Sequence, residues 1–456
     1  MASILVFIVL CSCCSIAHGS DEQSFIVVPT SSFEPESACS RASVNQERSN
    51  GAVSMPLVHR YGPCAPWQPT DDKPSLTETL HRNRARWSYI MSMNNTRHGE
   101  KAVLMPTHLG NYVDSLEYIV TVGYGTPAVE QVVLLDTGSS LSWVQCKPCN
   151  PGACSPQKDP LFDPSRSSTY KPVPCNSDVC RRLAAGSLGS GGCVNGNQCK
   201  FAILYADGSI TGGVLSSEKL TLTSTRTVNN FLFGCGHDSR SSEKYDGLLG
   251  FGHSSLSLVS QTAHTEGRVF SYCLPGVNSR SGFLTLGVPM NHDPAFVFTP
   301  MGTNPFEASR YVVSLTGNSV GGRPLDIKPS AFAGGMIIDS GRVVTGLPST
   351  AYNALKSAVR QAMAAYPLLP NGPLETCYNL TGYRSVAVPK VSLVFGGGAT
   401  INLDVPNGIL VEGCLAFEMS GPDASVAVLG NVNQRNFEVL FDVEHARVGF
   451  RANACK

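Results

Sequence analysis

From Tyr118 onward, apolar and polar positions follow a β pattern. The stretch "EYIVTVGYG" alternates, and "QVVLL" is an unbroken aliphatic run that ends on Asp136. Alternation predicts a half-buried strand, and a continuous run predicts a strand covered on both faces. "FAILYADGS" and "VLSSEKLTLT" follow as hairpin partners with Gly-containing turns. One clear helix is predicted late, over "AYNALKSAVRQAMAAY", capped by Ser349 or Thr350 and lined on one face by Tyr352, Leu355, Val359, Ala362 and Met363. A second is predicted upstream, where Ser75 and Glu78 make a capping box and Leu76, Leu80, Trp87 and Met91 form a rough stripe. Residues 20 to about 50 are polar and Ser-rich and are predicted to be poorly ordered.

The pattern repeats. Leu134 to Trp143 reads "LLDTGSSLSW" and Ile337 to Gly346 reads "IIDSGRVVTG": two aliphatics, an Asp, a small hydroxyl residue and a Gly. Each is followed by an aliphatic-aliphatic-Gly step, "GLLGFG" (Gly247 to Gly252) in one case and "VLGN" (Val428 to Asn431) in the other. Two homologous, strand-rich lobes are therefore expected, joined near residues 300 to 310. A carboxylate directly after a buried strand, with Gly two residues on, sits at a sharp turn.

Composition adds the compartment. The chain has 456 residues, zero formal net charge, 42% hydrophobic and 15% charged residues, with 44 Gly and 30 Pro. That balance recommends neither a nucleic-acid nor a membrane-surface partner, and turn-formers this plentiful favour an all-β fold. The N-terminus "MASILVFIVLCSCCSIAHGS" resembles a secretory signal cut near Gly19, although it lacks an early Lys or Arg. No later segment approaches the roughly 18 uninterrupted apolar residues of a membrane span. Residues 52 to 101 carry seven Lys/Arg against four Asp/Glu, which suits a basic prosegment that masks something acidic. The expected organisation is a signal over 1–19, a prosegment over 20–105 cut between 95 and 115, a first lobe over 106–304 and a second over 305–456.

Of 17 cysteines, twelve run from Cys146 to Cys455, an even number in an oxidising compartment. Cys146, Cys149, Cys154, Cys175, Cys180, Cys193, Cys199, Cys235 and Cys273 fall in the first lobe, and Cys377, Cys414 and Cys455 in the second. Odd counts on both sides require at least one bridge between lobes if all are paired, with Cys455 expected to reach Cys235 or Cys273, and Cys377 to reach Cys414. "CKPCNPGAC" lacks the second half of a zinc pattern, and neither H-E-x-x-H nor a strand–G-x-G-x-x-G–helix motif occurs. No metal and no cofactor are expected.

Two Asp turns brought face to face would place carboxylates close enough to share a proton, because like charges at that range cannot both ionise. One Asp then acts as general base on a bound water while the other, protonated, donates to a substrate carbonyl. A bare Asp-(Ser/Thr)-Gly triplet should arise by chance only ~0.2 times in a chain this long, and two copies after aliphatic pairs are far rarer.

With these motifs the chain closely resembles the pepsin-like (A1) aspartic endopeptidases over about residues 105 to 456. "WVQCKPC", the twelve cysteines and "LVHRYGPC" narrow the resemblance to the plant nepenthesin-type branch. It implies a bilobal all-β fold, Asp136 and Asp339 as catalytic aspartates, and Thr137 and Ser340 as the hydroxyl pair locking the turns. Gly138, Ser139 and Gly341 complete the turns. "YADGS" resembles the flap tip, with Tyr205, Asp207, Gly208 and Ser209 over the substrate, and Trp143 matches the Trp that hydrogen-bonds the flap tyrosine. A polypeptide substrate, acid pH and a monomer are implied, with the cell exterior expected as destination. Arg342 departs from the family, which has Thr or Ser there with its hydroxyl on the adjacent aspartate. Two outcomes are expected for it: a guanidinium swung into the cleft mouth, leaving the enzyme active, or one paired with Asp339, leaving a binding or inhibitor protein. Retention of every other motif residue favours activity. Asn379, in the sequon Asn379-Leu380-Thr381, is the candidate glycosylation site.

Overall fold

The aliphatic run before Asp136 folds as a strand whose last six residues are all buried. In chain order, the strands that position the site are β1 (Phe25–Pro29), β2 (Val53–His59), β3 (Tyr118–Tyr124), β4 (Val129–Asp136), β5 (Trp143–Gln145), β6 (Ile210–Thr223), β7 (Arg226–Arg240), β8 (Gly247–Gly250), β9 (Val269–Cys273), β10 (Gly282–Leu286), β11 (Val297–Gly302), β12 (Met336–Ile338), β13 (Thr345–Pro348), β14 (Ser385–Pro389), β15 (Phe417–Gly421), β16 (Ala427–Leu429), β17 (Glu438–Asp442) and β18 (Arg447–Arg451). Helices are few: α1 (residues 76–84), α2 (Asp178–Ala184) and α3 (Ser349–Ala362) bear on the argument. The computed structural model describes residues 24–33, 52–66, 74–84, 118–149, 152–157, 159–184, 190–193, 196–204, 210–240, 245–276, 282–287, 295–302, 310–403 and 408–455. The expected signal, the cut region, Trp87, Met91 and most of the joint between lobes lie outside those residues.

The doubled motif is a doubled topology. In the first lobe β4 runs parallel to β8, with Asp136 opposite Gly250, and β8 is antiparallel to β5. In the second, β12 runs parallel to β16, with Ile338 opposite Leu429, and β16 is antiparallel to β13. The aliphatic-aliphatic-Gly step is needed for close approach. A Cβ on Gly250 would lie 2.5 Å from the Ser140 carbonyl oxygen, and one on Gly430 2.5 Å from the Val344 carbonyl carbon.

Between the lobes lies a sheet in the order β2–β10–β9–β17–β18–β11, antiparallel throughout. Phe270 of β9 stacks on Phe441 of β17 with centroids 4.5 Å apart, and both are fully buried. Such an offset aromatic pair contributes about 0.5–1.5 kcal/mol beyond its buried area. The sheet's outermost strand on one side, β2, comes from the segment expected to be prosegment.

Three expectations need correction. Residues 25–29, read as poorly ordered, form β1 and pair antiparallel with β14 from Phe25–Pro389 to Pro29–Ser385. The strand exists because the β14 edge supplies its hydrogen bonds, which a local reading cannot see. α3 begins at Ser349, but neither Ser349 nor Thr350 caps it. Asp423 instead accepts from the Thr350 N–H at 2.9 Å, and from the Thr350 and Ser349 hydroxyls at 2.7 and 3.1 Å. And "EYIVTVGYG" is not half-buried: along β3 only Thr121 is exposed, because sheets cover both faces.

The upstream capping box does form. The Ser75 N–H donates to Glu78 Oε2 at 2.7 Å and the Glu78 N–H to Ser75 Oγ at 3.2 Å. Leu76 and Leu80 then bury against Val343, Val344 and Val432 of the second lobe.

All twelve cysteines from Cys146 on are paired. Cys149–Cys154, Cys175–Cys193 and Cys180–Cys199 staple the insertion after the first motif, and Cys146–Cys235 ties β5 to β7. Cys377–Cys414 is internal to the second lobe, and Cys273–Cys455 crosses between lobes, deciding between the two partners left open for Cys455. Closing 182 residues constrains the unfolded chain strongly, so Cys455→Ser should cost about 2–5 kcal/mol. Chemical denaturation of the oxidised protein measures this, and an unchanged midpoint would contradict it.

Candidate active site

Both motif aspartates are deeply buried, each 1% exposed. Their turns are built alike. The Gly138 N–H donates to Asp136 Oδ1 and the Gly341 N–H to Asp339 Oδ1, both at 2.8 Å. Each turn is then anchored to its neighbouring aliphatic-aliphatic-Gly step. The Gly250 N–H donates to Ser142 Oγ at 3.0 Å, and the Gly430 N–H to Thr345 Oγ1 at 3.1 Å. Ser142 and Thr345 each lie six residues beyond their Asp.

The two turns are bonded to each other across the seam. The Thr137 N–H donates to Ser340 Oγ at 3.2 Å, and the Ser340 N–H returns to Thr137 Oγ1 at 3.0 Å. Each hydroxyl also donates beyond its turn, Thr137 to the Ile338 carbonyl at 3.2 Å and Ser340 to the Leu135 carbonyl at 3.4 Å. Four buried bonds of this kind, each contributing about 1 kcal/mol net, hold residues 203 positions apart in one register. Chemically, this sets two carboxyl-bearing turns side by side in a buried, fixed frame.

The turns part company three residues past each Asp. Ser139 Oγ donates to Asp136 Oδ2 at 2.6 Å. The matching position after Asp339 is Arg342, which has no hydroxyl. Of the two locations expected for its guanidinium, the cleft mouth is not where the structure puts it. Arg342 is 2% exposed, so it does not reach the cleft mouth, and it forms an ion pair with Glu418 of β15, Nη2 to Oε1 at 2.7 Å. Its Nε donates to the Val344 carbonyl at 3.1 Å. The physical reason is that a buried cation requires a matched anion, and Glu418 supplies one on the far side of β13. Burial pulls the Arg342 pKa below its ordinary value, against the Glu418 and Asp339 charges, which favour the cation.

Sequence reasoning missed several contributors. Glu418 is one, and Arg84 of α1, whose Nε lies 2.9 Å from Glu418 Oε2, is another. Gln434 donates to the Asp339 carbonyl at 3.2 Å and accepts from the Tyr272 hydroxyl at 2.5 Å, linking β9 to the second turn. The Tyr311 hydroxyl donates to the Phe251 carbonyl at 2.8 Å, linking the second lobe to the first lobe's Gly step. The one available signal was Glu418's position as a lone acid in the apolar run "CLAFEM".

Trp143 is buried with its ring 6.1 Å from that of Tyr245. The flap residues Tyr205, Asp207, Gly208 and Ser209 lie outside the described residues. Asn379 is exposed, and its side-chain oxygen accepts from the Thr381 N–H at 3.1 Å. Among the described residues no three His, Cys, Asp or Glu side chains are grouped to hold a metal ion, and no helix is long and apolar enough to cross a membrane.

Comparison with known proteins follows this geometry. Two family models match, one described as xylanase inhibitor N-terminal over residues 118–288 and one as xylanase inhibitor C-terminal over 310–452. An Arabidopsis thaliana protein named aspartyl protease AED1 is 36% identical, over 99% of this chain and 98% of its own. Aspartic proteinase nepenthesin-2 of Nepenthes gracilis is 35% identical over 75% of this chain and 79% of its own. Among solved structures, basic 7S globulin from soybean shares the fold with a TM-score of 0.58 at 21% identity, over 73% of this chain and 91% of that one. With the paired Asp turns, the doubled topology and relatives of this similarity along its length, the chain belongs to the pepsin-like (A1) aspartic protease family, in its plant nepenthesin-type branch.

Proposed function

We propose that this chain is an aspartic endopeptidase that hydrolyses polypeptides at acid pH. Asp136 and Asp339 share one proton. The ionised member takes a proton from a water as it attacks the scissile carbonyl, and the protonated member donates to the carbonyl oxygen. Thr137 and Ser340 hold the pair in register, and Tyr205 with its neighbours closes over the substrate. The observation that supports the reading is the reciprocal bonding of Thr137 and Ser340, which joins the two Asp turns across the seam.

The reading extends to the chain's route. It is made as a precursor with a signal over residues 1–19, enters the secretory pathway, is N-glycosylated at Asn379, acts outside the cell as a monomer, and is released from residues 20–105 by cleavage. The capping-box helix with Leu76 and Leu80 on the second lobe supports a docked prosegment, and the acid its Arg84 meets is Glu418.

The test is turnover of a denatured protein by the processed chain at roughly pH 3 to 5, where one carboxyl of a shared-proton pair is ionised, with block by a pepstatin-type inhibitor. A folded, processed product without turnover contradicts the reading. A second reading, a binding protein for cell-wall glycosidases, draws on the xylanase-inhibitor description of the family models and on Arg342. Inhibition of a purified xylanase by the same product, with no proteolysis, would favour it.

A further inference from the structure

The two Asp turns meet their aliphatic-aliphatic-Gly steps in different registers. In the first lobe the residue after the step, Phe251, donates its N–H to the Asp136 carbonyl at 2.8 Å, and Gly252 donates to the Ser139 carbonyl at 2.8 Å. In the second lobe the residue after the step, Asn431, donates instead to the Arg342 carbonyl at 2.6 Å, and Val432 to the Val343 carbonyl at 3.0 Å. The pairing has slipped by one residue, so the Asp339 carbonyl forgoes the main-chain donor that serves its counterpart. From its own turn it accepts the Arg342 N–H at a long 3.4 Å.

A side chain fills the place. Gln434 Nε2 donates to the Asp339 carbonyl at 3.2 Å and to the Leu429 carbonyl at 2.8 Å, and its Oε1 accepts from the Tyr272 hydroxyl at 2.5 Å. The Leu429 carbonyl also accepts from the Asp339 N–H at 3.2 Å, so the amide closes a ring between the Asp turn and the end of β16. Gln434 is 1% exposed and Tyr272 is fully buried. Both N–H donors of the amide are thus engaged, and the hydroxyl on Oε1 fixes which end of it faces the turn. Burial first, and then the Asp339 charge, hold the Tyr272 phenol well above its ordinary range, so the hydroxyl stays a donor.

We infer that Gln434 is a positioning residue: oriented by Tyr272 of β9, it gives the second Asp turn from a side chain the bond that the first turn receives from the main chain. Its effect on turnover rests on the protease reading, whereas its effect on the rigidity of the second turn does not. Because Gln434 acts on Asp339 through the backbone, losing it should slow the chemical step and leave substrate binding alone.

The test compares wild type with Gln434→Met, which keeps the side chain's bulk and removes all three bonds, with Tyr272→Phe, and with the double variant. Ser271→Ala is the control, because Ser271 neighbours Tyr272 in β9 but bonds Glu438 of β17, Oγ to Oε1 at 2.7 Å. Steady-state kinetics are read on the processed protein, and amide hydrogen exchange at Ser340 and Gly341 on the full chain. Gln434→Met should lower kcat by about 10 to 100-fold at unchanged KM and speed exchange in the second turn about tenfold, with the Thr137 and Gly138 amides unmoved. Tyr272→Phe should lower kcat about fivefold, the worth of one hydrogen bond. The double variant should lose no more than Gln434→Met, since Tyr272 acts through Gln434. Either readout unmoved in Gln434→Met overturns the inference, as does a loss confined to KM, an additive double variant, or the same loss of kcat in Ser271→Ala. If Gln434→Met does not fold, Tyr272→Phe decides, and an unchanged kcat there overturns it. A wild type without turnover would sink the protease reading, while exchange in the second turn would still judge this one.

Discussion

Asp136→Asn yields a folded, disulfide-complete protein whose turnover of a denatured substrate is lower by about 10³ to 10⁴-fold. The substitution keeps the shape of the side chain and an oxygen for the Gly138 N–H, which now meets Asp136 Oδ1 at 2.8 Å. Ser139, which donates to Oδ2 at 2.6 Å, turns its hydroxyl to accept from the new amide instead. What is lost is ionisation, and with it the general base of the proposed mechanism. Asp339→Asn should lose as much, and the double variant little more, because in the proposed mechanism the two carboxyls act as a unit. Steady-state assays across acid pH, alongside circular dichroism and disulfide mapping, check this. Turnover retained above about a tenth of wild type in either single variant would remove the shared-proton mechanism.

The stability of the first lobe should fall as pH rises through the mildly acid range, and Asp246 should be a main cause. Its side chain is buried, with Oδ2 accepting from the Val132 N–H at 2.6 Å. Burial, opposed by that bond and reinforced by the neighbouring Asp159, pushes its pKa up to about 7 from an ordinary 3.8. The folded protein therefore holds this proton between about pH 4 and 7 while the unfolded chain releases it. More protons bound in the native state means stability that is full below the unfolded pKa and is lost as pH climbs to the folded one. The contribution is up to about 4 kcal/mol. Denaturant midpoints of wild type and Asp246→Asn, measured from pH 4 to 8, should diverge upward, the variant losing less. Parallel curves would contradict the assignment.

How far the sequence reaches depends on how local each feature is. The Asp turns, the aliphatic-aliphatic-Gly steps, the capping box and the α3 stripe were legible because each is decided within a few residues by backbone sterics and side-chain period. Cysteine parity demanded a bridge between lobes by counting alone. By itself, then, the chain determined two strand-rich lobes, an Asp turn in each, and an oxidised scaffold. Tertiary structure alone decided the rest, since each such feature joins partners whose register nothing local encodes. Cys273 over Cys235 was settled by β9 lying beside the C-terminal strands. β1 became a strand only because β14 offered an open edge. The fate of Arg342 was beyond local reading for the same reason. Its counter-ion lies 76 residues away and that acid's second cation 334 residues away, so only packing could decide where a buried charge finds its match.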